Sequence, residues 1–228
     1  MRVAVIPARA GSKRIPGKNM RPFCGQPIIQ YSIQAALQAA VFDRVIVSTD
    51  SDQIAELAIA AGADVPFRRP AELADDFTPT LPVIRHAINA VNTTADPIEF
   101  CCCLYPTAPF VTVSDLLLGL EKLQQHPAAE FAFPITTFSY PIFRSLQFDG
   151  DTLEMFFPEY ENTRSQDLPE AWHDAGQFYW GTARAWQEAT GIFSSASVGI
   201  RIPRYRVQDI DTLEDWVRAE AMFRALAM

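Results

Sequence analysis

The chain has 228 residues, 49% of them hydrophobic and 20% charged, with a formal net charge of -8. That length and composition suit a globular chain with a full core and exclude a disordered one, while the acidic balance excludes a general nucleic-acid binder, which presents a basic face. The longest apolar runs reach only strand length, and Arg9, Lys13 and Arg14 fall where a secretory signal needs its apolar region, so no membrane span is expected and the predicted location is cytoplasmic.

In chain order, Val3-Ala4-Val5-Ile6 opens a predicted strand over residues 3–7 that stops at Pro7. A loop then places Arg9, Lys13, Arg14 and Lys18 around Gly11 and Gly17. Residues 1–42 contain no Asp or Glu, so no counter-charge is local. Charge this dense repels itself unless an anion is held, which predicts a local anion site within an acidic protein. Next, Ile29, Ile33, Ala36, Leu37 and Ala40 fall on one face of a helix. Further strands are predicted at 44–49, 63–67 and 99–104. Helices are predicted near 52–61, from Thr80 to Val91 with Thr80 as a cap, and from Ser114 to Gln125 with Ser114 as N-cap. Strands alternating with helices predict an α/β fold with a mostly parallel central sheet and helices on both faces.

After residue 131 the pattern changes to aromatic-rich pieces and a Pro- and charge-rich stretch. Residues 137–175 are read as an excursion from the main sheet, within a single domain spanning 1–228. The chain returns with GQFYWGT at 176–182, a predicted strand near 205–208, and a closing helix from Thr212 in which Asp215 completes a capping box. Three of the four cysteines are consecutive, Cys101 to Cys103, and no pair has zinc spacing; they read as buried small hydrophobes in a reducing compartment. His86, His126 and His173 do not cluster in the sequence.

A strand, a glycine-containing basic loop and a helix form an arrangement in which backbone N–H groups and lysines hold phosphates. Neither the P-loop pattern nor the G-x-G-x-x-G dinucleotide fingerprint is present. The loop IPARAGSKRIPGKN, residues 6–19, instead resembles the signature of the sugar cytidylyltransferases that make CMP-activated acidic sugars, the sialate and Kdo nucleotide synthetases. The likeness continues through residues 43–80, LYPTAPF at 104–110, DAGQFYW at 174–180 and VQDIDTLEDW at 207–216. Where sialate synthetases show LQPTSP and NGAIY, this chain has Tyr105, and then Ala175 and Gln177. Those departures fall in the family's sugar pocket and favour a nonulosonic acid with a different substituent pattern.

The resemblance implies a Rossmann-like nucleotidyltransferase fold with a small β-rich arm for dimerisation, and a reaction of CTP with an acidic nonulosonate sugar. It assigns the triphosphate to Arg9, Ser12 and Lys13 with the backbone near Ala10 and Gly11, and the reacting α-phosphate to Lys18 and Asn19. Magnesium would sit on Asp209 and Asp211, with Asp211 helping to deprotonate the attacking hydroxyl. Cytosine is assigned to Arg69 and Thr80, and the sugar to Tyr105, Arg164, Gln177 and Tyr179. Arg9, Lys18 and Asp211 carry the catalytic expectation. Phe178 and Trp180 read as core, Arg14 and Arg21 as solvated neighbours or partners in the site, and Tyr140, Phe143, Phe156 and Phe157 as cover for a second copy or for each other.

Overall fold

The computed structural model describes residues 1–226. Strand β1 (Arg2–Pro7) leads through the basic loop to a short hairpin of β2 (Pro22–Phe23) and β3 (Gln26–Pro27), then to α1 (Ile28–Ala39). The chain continues through β4 (Arg44–Ser48), α2 (Asp52–Ala60), α3 (Thr80–Val91), β5 (Phe100–Leu104) and α4 (Val113–Gln125). Next come β6 (Phe131–Thr137), the hairpin β7 (Leu146–Asp149) and β8 (Thr152–Met155), then β9 (Trp172–Asp174) and β10 (Phe178–Thr182). Finally α5 (Ala183–Glu188), β11 (Ser197–Arg201) and α6 (Leu213–Leu226) close the molecule.

The main sheet runs β11-β6-β10-β5-β1-β4, with β9 also paired to β6. It is mixed, and this corrects the mostly parallel sheet expected from the alternation of elements. Strand β1 pairs in parallel with β4 and β5, and β11 with β6, whereas β10 is antiparallel to both β5 and β6, and β9 to β6. The physical reason lies in the excursion. The unit β5-α4-β6 leaves its two strands pointing the same way, as a helical crossover does, but β10 returns after β9 and slots between them in the opposite sense.

Side chains alternate across the sheet and build a core on each face. Ala4, Ile6, Cys102, Leu104 and Trp180 pack under α1, α2 and α4, while Val3, Val5, Cys101, Cys103 and Tyr179 pack with α3 and with Trp186 of α5. The three consecutive cysteines are buried and free, as read from the sequence. Gly181 is required here, because a Cβ would lie 2.6 Å from Trp186 Nε1. Helices therefore cover both faces as expected, although Leu37 and Ala40, placed on the buried face of α1 by periodicity, are exposed.

Other local expectations need correction. Residues 63–67 make only a single bridge, Ile46 to Asp64, because Pro66 has no N–H to extend a ladder. The strand expected near 205–208 is a 3-10 turn at Arg204–Arg206, started by Pro203 at φ -65°, and the strand of that region is β11. Helix α4 is capped by Thr112 rather than Ser114, in a reciprocal box with Asp115. Helix α3 has Pro79 at its N-cap, so Thr80 is not the cap.

Within the excursion, Phe143 packs against Phe157 and Tyr160 at centroid separations of 5.3 and 4.9 Å. Leu146, Phe148, Leu153, Phe156 and Tyr140 stay exposed. No helix among the described residues is long and apolar enough to cross a membrane.

Candidate active site

Strand β1, held between the parallel strands β5 and β4 near one side of the sheet, aims the basic loop over the sheet's carboxyl end, where open α/β sheets bind ligands. The loop is pinned from below. Ala8 donates to the Ser48 carbonyl at 2.9 Å, Ala10 N–H to Asp50 Oδ1 at 2.8 Å, and the buried Asn19 amide to the Arg9 carbonyl at 2.9 Å. Ile15 is fully buried with Phe23, Ile28, Phe110, Ile210 and Trp216. Gly17, at φ +64°, turns the chain into the 3-10 turn that carries Lys18.

All four loop cations meet carboxylates from distant parts of the chain. Arg9 Nη1 lies 2.6 Å from Asp76 Oδ1, and Lys13 pairs with the other oxygen, Oδ2. On the opposite flank Arg14 Nη1 lies 2.7 Å from Asp211 Oδ2, and Lys18 Nζ is 3.6 Å from Asp211 Oδ1 while donating to the Ile210 carbonyl. The absence of counter-charge is therefore a property of the local sequence only. Nothing in the local charge pattern marks Asp76 as a partner of the loop. Its one signal is the Asp75-Asp76 doublet in the segment ending at Thr80, where Asp75 Oδ1 accepts from the N–H groups of Phe77 at 2.9 Å and Thr78 at 2.6 Å, folding a tight turn that projects its neighbour. Lys13, then Arg9, holds the Asp76 carboxyl below its ordinary range.

Asp209 and Asp211 flank Ile210, which is fully buried, so the two carboxylates share the outer side as the alternation predicts. Three contacts place this segment. The Arg206 guanidinium grips Asp115 at the start of α4, with Nη2 to Oδ1 at 3.0 Å; the Arg206 carbonyl accepts from Gln177 Nε2 at 2.7 Å; and Asp215 accepts from Thr212 N–H at 2.9 Å in the expected capping box. The Asp209 carboxyl is raised by packing around it and then by Asp211, with Lys18 and Arg14 opposing. Among the described residues no three His, Cys, Asp or Glu side chains converge as a metal cage.

A cavity of about 550 Å³ extends from the loop to the 69–80 segment and to Tyr105. Ser12, Lys13, Lys18, Asn19, Arg69 and Thr80 all line it. Arg69 is only 4% exposed, donating Nε to Ser48 Oγ at 3.1 Å; burial brings its pKa down to about 10, against the pull of Asp50. The Thr80 hydroxyl lies 3.1 Å from the Tyr105 hydroxyl, and burial pushes the Tyr105 phenol up to about 12.

The sugar-pocket residues are not brought together equally. Tyr105 lines the cavity, whereas Gln177 and Tyr179 form a buried row behind it and Arg164 stands exposed on the excursion, paired with Asp167 at 2.6 Å. The Tyr105 and Tyr179 rings are 5.5 Å apart, and Tyr179 donates its hydroxyl to Asp174, a partner the sequence did not reveal. Burial and its neighbours, Tyr105 first, raise the Tyr179 phenol far above its ordinary value. Gln177 Oε1 is buried without a hydrogen-bond partner among the described residues. Phe178 and Trp180 are core, as read. His86, His126 and His173 lie on α3, at the end of α4 and on β9, so they remain apart.

Comparison with known proteins supplies a family for this geometry. A family model described as cytidylyltransferase matches residues 3–183. The chain is 40% identical over 223 residues to a Campylobacter jejuni protein named pseudaminic acid cytidylyltransferase, covering 97% of this chain and 96% of the relative. It is 30% identical to an Escherichia coli N-acylneuraminate cytidylyltransferase, covering 94% of this chain and 50% of the relative. A solved CMP:2-keto-3-deoxy-manno-octonic acid synthetase complexed with CTP shares the fold at TM-score 0.73 and 19% identity, over 98% of each chain.

Proposed function

The chain belongs to the cytidylyltransferase family, and we propose that it transfers the cytidylyl group of CTP to pseudaminic acid, releasing pyrophosphate. The observation that carries this reading is the approach of Lys18 to Asp211, 3.6 Å apart, which joins the basic loop and the Asp-Ile-Asp segment at one edge of the cavity. The higher identity to the Campylobacter jejuni relative than to the Escherichia coli one, 40% against 30%, supports pseudaminic acid over sialic acid.

In this reading Arg9, Ser12 and Lys13 hold the triphosphate with the backbone at Ala10 and Gly11, and Lys18 and Asn19 serve the α-phosphate. Arg69 and Thr80 face cytosine. The sugar's anomeric oxygen attacks the α-phosphorus, the bond to the β-phosphate oxygen breaks, and the pyrophosphate that leaves gains charge beside Lys18 and Arg9. Such a transfer asks mainly for positioning and neutralisation of charge, which lysines supply as mobile point charges. Asp211 takes up the hydroxyl proton. Asp209 and Asp211 suit magnesium, because hard carboxylate oxygens from only two residues leave coordination positions for phosphate oxygens and water. Bound there, the ion would neutralise phosphate charge.

Tyr105, backed by Gln177 and Tyr179, forms the sugar wall. Arg164, exposed on the excursion, reaches a sugar by docking against a second copy, with the apolar side chains of β7 and β8 covered in a homodimer. We place the reaction in the cytoplasm, where Cys24 and the three buried thiols stay reduced. The test is a pyrophosphate-release assay with magnesium that crosses CTP, UTP, ATP and GTP against pseudaminic, sialic and Kdo acids. CTP with pseudaminic acid is the pair expected to turn over; turnover with sialic acid alone would reassign the sugar, and silence from every pair would leave a nucleotide-binding protein.

A further inference from the structure

The two flanks of the basic loop bind carboxylates by the same device, one aspartate bridging two cations, but only one of those aspartates has a part in the proposed reaction. Asp76 spends one oxygen on Arg9 and the other on Lys13, the two side chains assigned to the triphosphate. Its side chain is mostly covered, while Lys13 is 80% exposed, so the lysine reaches in to the carboxylate from solvent. Outside the helices, the hydrogen bonds of residues 71–78 stay within residues 70–78. Among the described residues, the ion pairs that tie this segment to the loop are those of Asp76. The segment is anchored at one end by Arg69 N–H on the Thr49 carbonyl, 2.9 Å, and at the other by α3. Phe77, beside the pairing residue, is 87% exposed, so no apolar packing holds the tip in place.

Resting on the cytidylyltransferase reading above, we propose that Asp76 is an internal competitor for the polyphosphate subsite: it occupies Arg9 and Lys13 as a phosphate would, and a polyphosphate must displace it to bind. An anion with a single weak charge gains little by breaking two ion pairs, whereas a triphosphate or pyrophosphate brings more charge at the right span. Asp76 thus selects for polyphosphates, and by returning to Arg9 and Lys13 after transfer it helps expel pyrophosphate. The apparent affinity for any polyphosphate is lowered by the fraction of molecules in which the pairs are closed.

Calorimetric titration of inorganic pyrophosphate, without divalent cations, into wild type, Asp76→Asn and Asp76→Glu tests this. Two partly exposed ion pairs predict that Asp76→Asn binds pyrophosphate roughly tenfold more tightly than wild type. Asp76→Glu, which keeps the charge, should return most of the way to wild-type affinity. Pyrophosphate should also become a correspondingly stronger inhibitor of the Asp76→Asn enzyme. If Asp76→Asn binds pyrophosphate no more tightly than wild type while both still bind CTP, Asp76 is merely a loop anchor and the competitor is refuted. If no form binds either CTP or pyrophosphate, the triphosphate assignment fails together with it.

Discussion

Asp211 and Asp76 sit on opposite flanks of one loop and each bridges two of its cations, yet the chain supports them in opposite ways. Asp211 follows a fully buried isoleucine, precedes a capped helix and faces Lys18, whose side chain is only 18% exposed. Asp76 projects from an exposed turn made by its neighbour Asp75. A charge set on a packed core is pre-organised and stays where the chemistry needs it. One set on a self-contained turn can leave at the cost of two partly solvated ion pairs, which are individually weak. The same contact is a fixture on one flank and a removable stopper on the other.

The contrast can be broken first at Lys18. Lys18→Ala should lower kcat by about 10²–10³-fold while changing CTP affinity only a few-fold, since the lost charge acts on the leaving pyrophosphate. Steady-state rates set beside calorimetric CTP binding decide it, and a raised KM with normal kcat would contradict the assignment. Next is the support beneath Asp211. Ile210→Ala should cost about 2–5 kcal/mol in urea unfolding, as deletion of a buried isoleucine does, and should depress kcat by loosening both aspartates.

A smaller effect is expected at the tether between this segment and α4. Arg206→Ala leaves the buried Asp115 carboxylate with only Thr112 and should cost about 1–3 kcal/mol. Burial raises the Asp115 pKa, but Arg206 and Thr112 outweigh it, and the net value lies below the ordinary 3.8. A carboxylate depressed in the folded state contributes stability that is present above 3.8 and is lost as pH falls through the lower folded value. Urea melts at neutral pH and on descending below that range should therefore converge for wild type and Arg206→Ala. Smallest of all, Phe77→Ser should leave stability within about 0.5 kcal/mol of wild type, because the ring packs against nothing that unfolding would expose; a larger loss would mean the tip of the Asp76 turn is anchored after all.

Much of this arrangement was legible beforehand because it depends on short-range patterning. Alternation around Ile210 puts Asp209 and Asp211 on one side, the Thr212-Asp215 spacing announces the start of α6, and Pro7 announces the end of β1 and the start of the basic loop. Of the three residues the resemblance assigns to the sugar wall, Tyr105 lines the cavity, whereas Gln177 and Tyr179 are buried and do not line it. Period-two reasoning separates the faces of a strand; it does not give depth from the surface. The sequence suggests Thr80 as a helix cap, but its hydroxyl is directed to Tyr105, a residue 25 positions away.

By itself, then, the amino-acid order determined the succession β1, α1, β4, α2, α3, β5 and α4, the basic loop and the acidic pair, since each follows from neighbours within a turn or a strand. Only the tertiary structure decided that β10 slots antiparallel between β5 and β6, and that the loop cations Arg9 and Lys18 meet Asp76 and Asp211 from far along the chain. The carboxylates closing the loop's charge lie on segments brought near by packing of the sheet and of the Ile210 cluster. Coulomb attraction depends on distance in space and is indifferent to distance along the chain, so the partners of a charge cannot be read until the core has placed them.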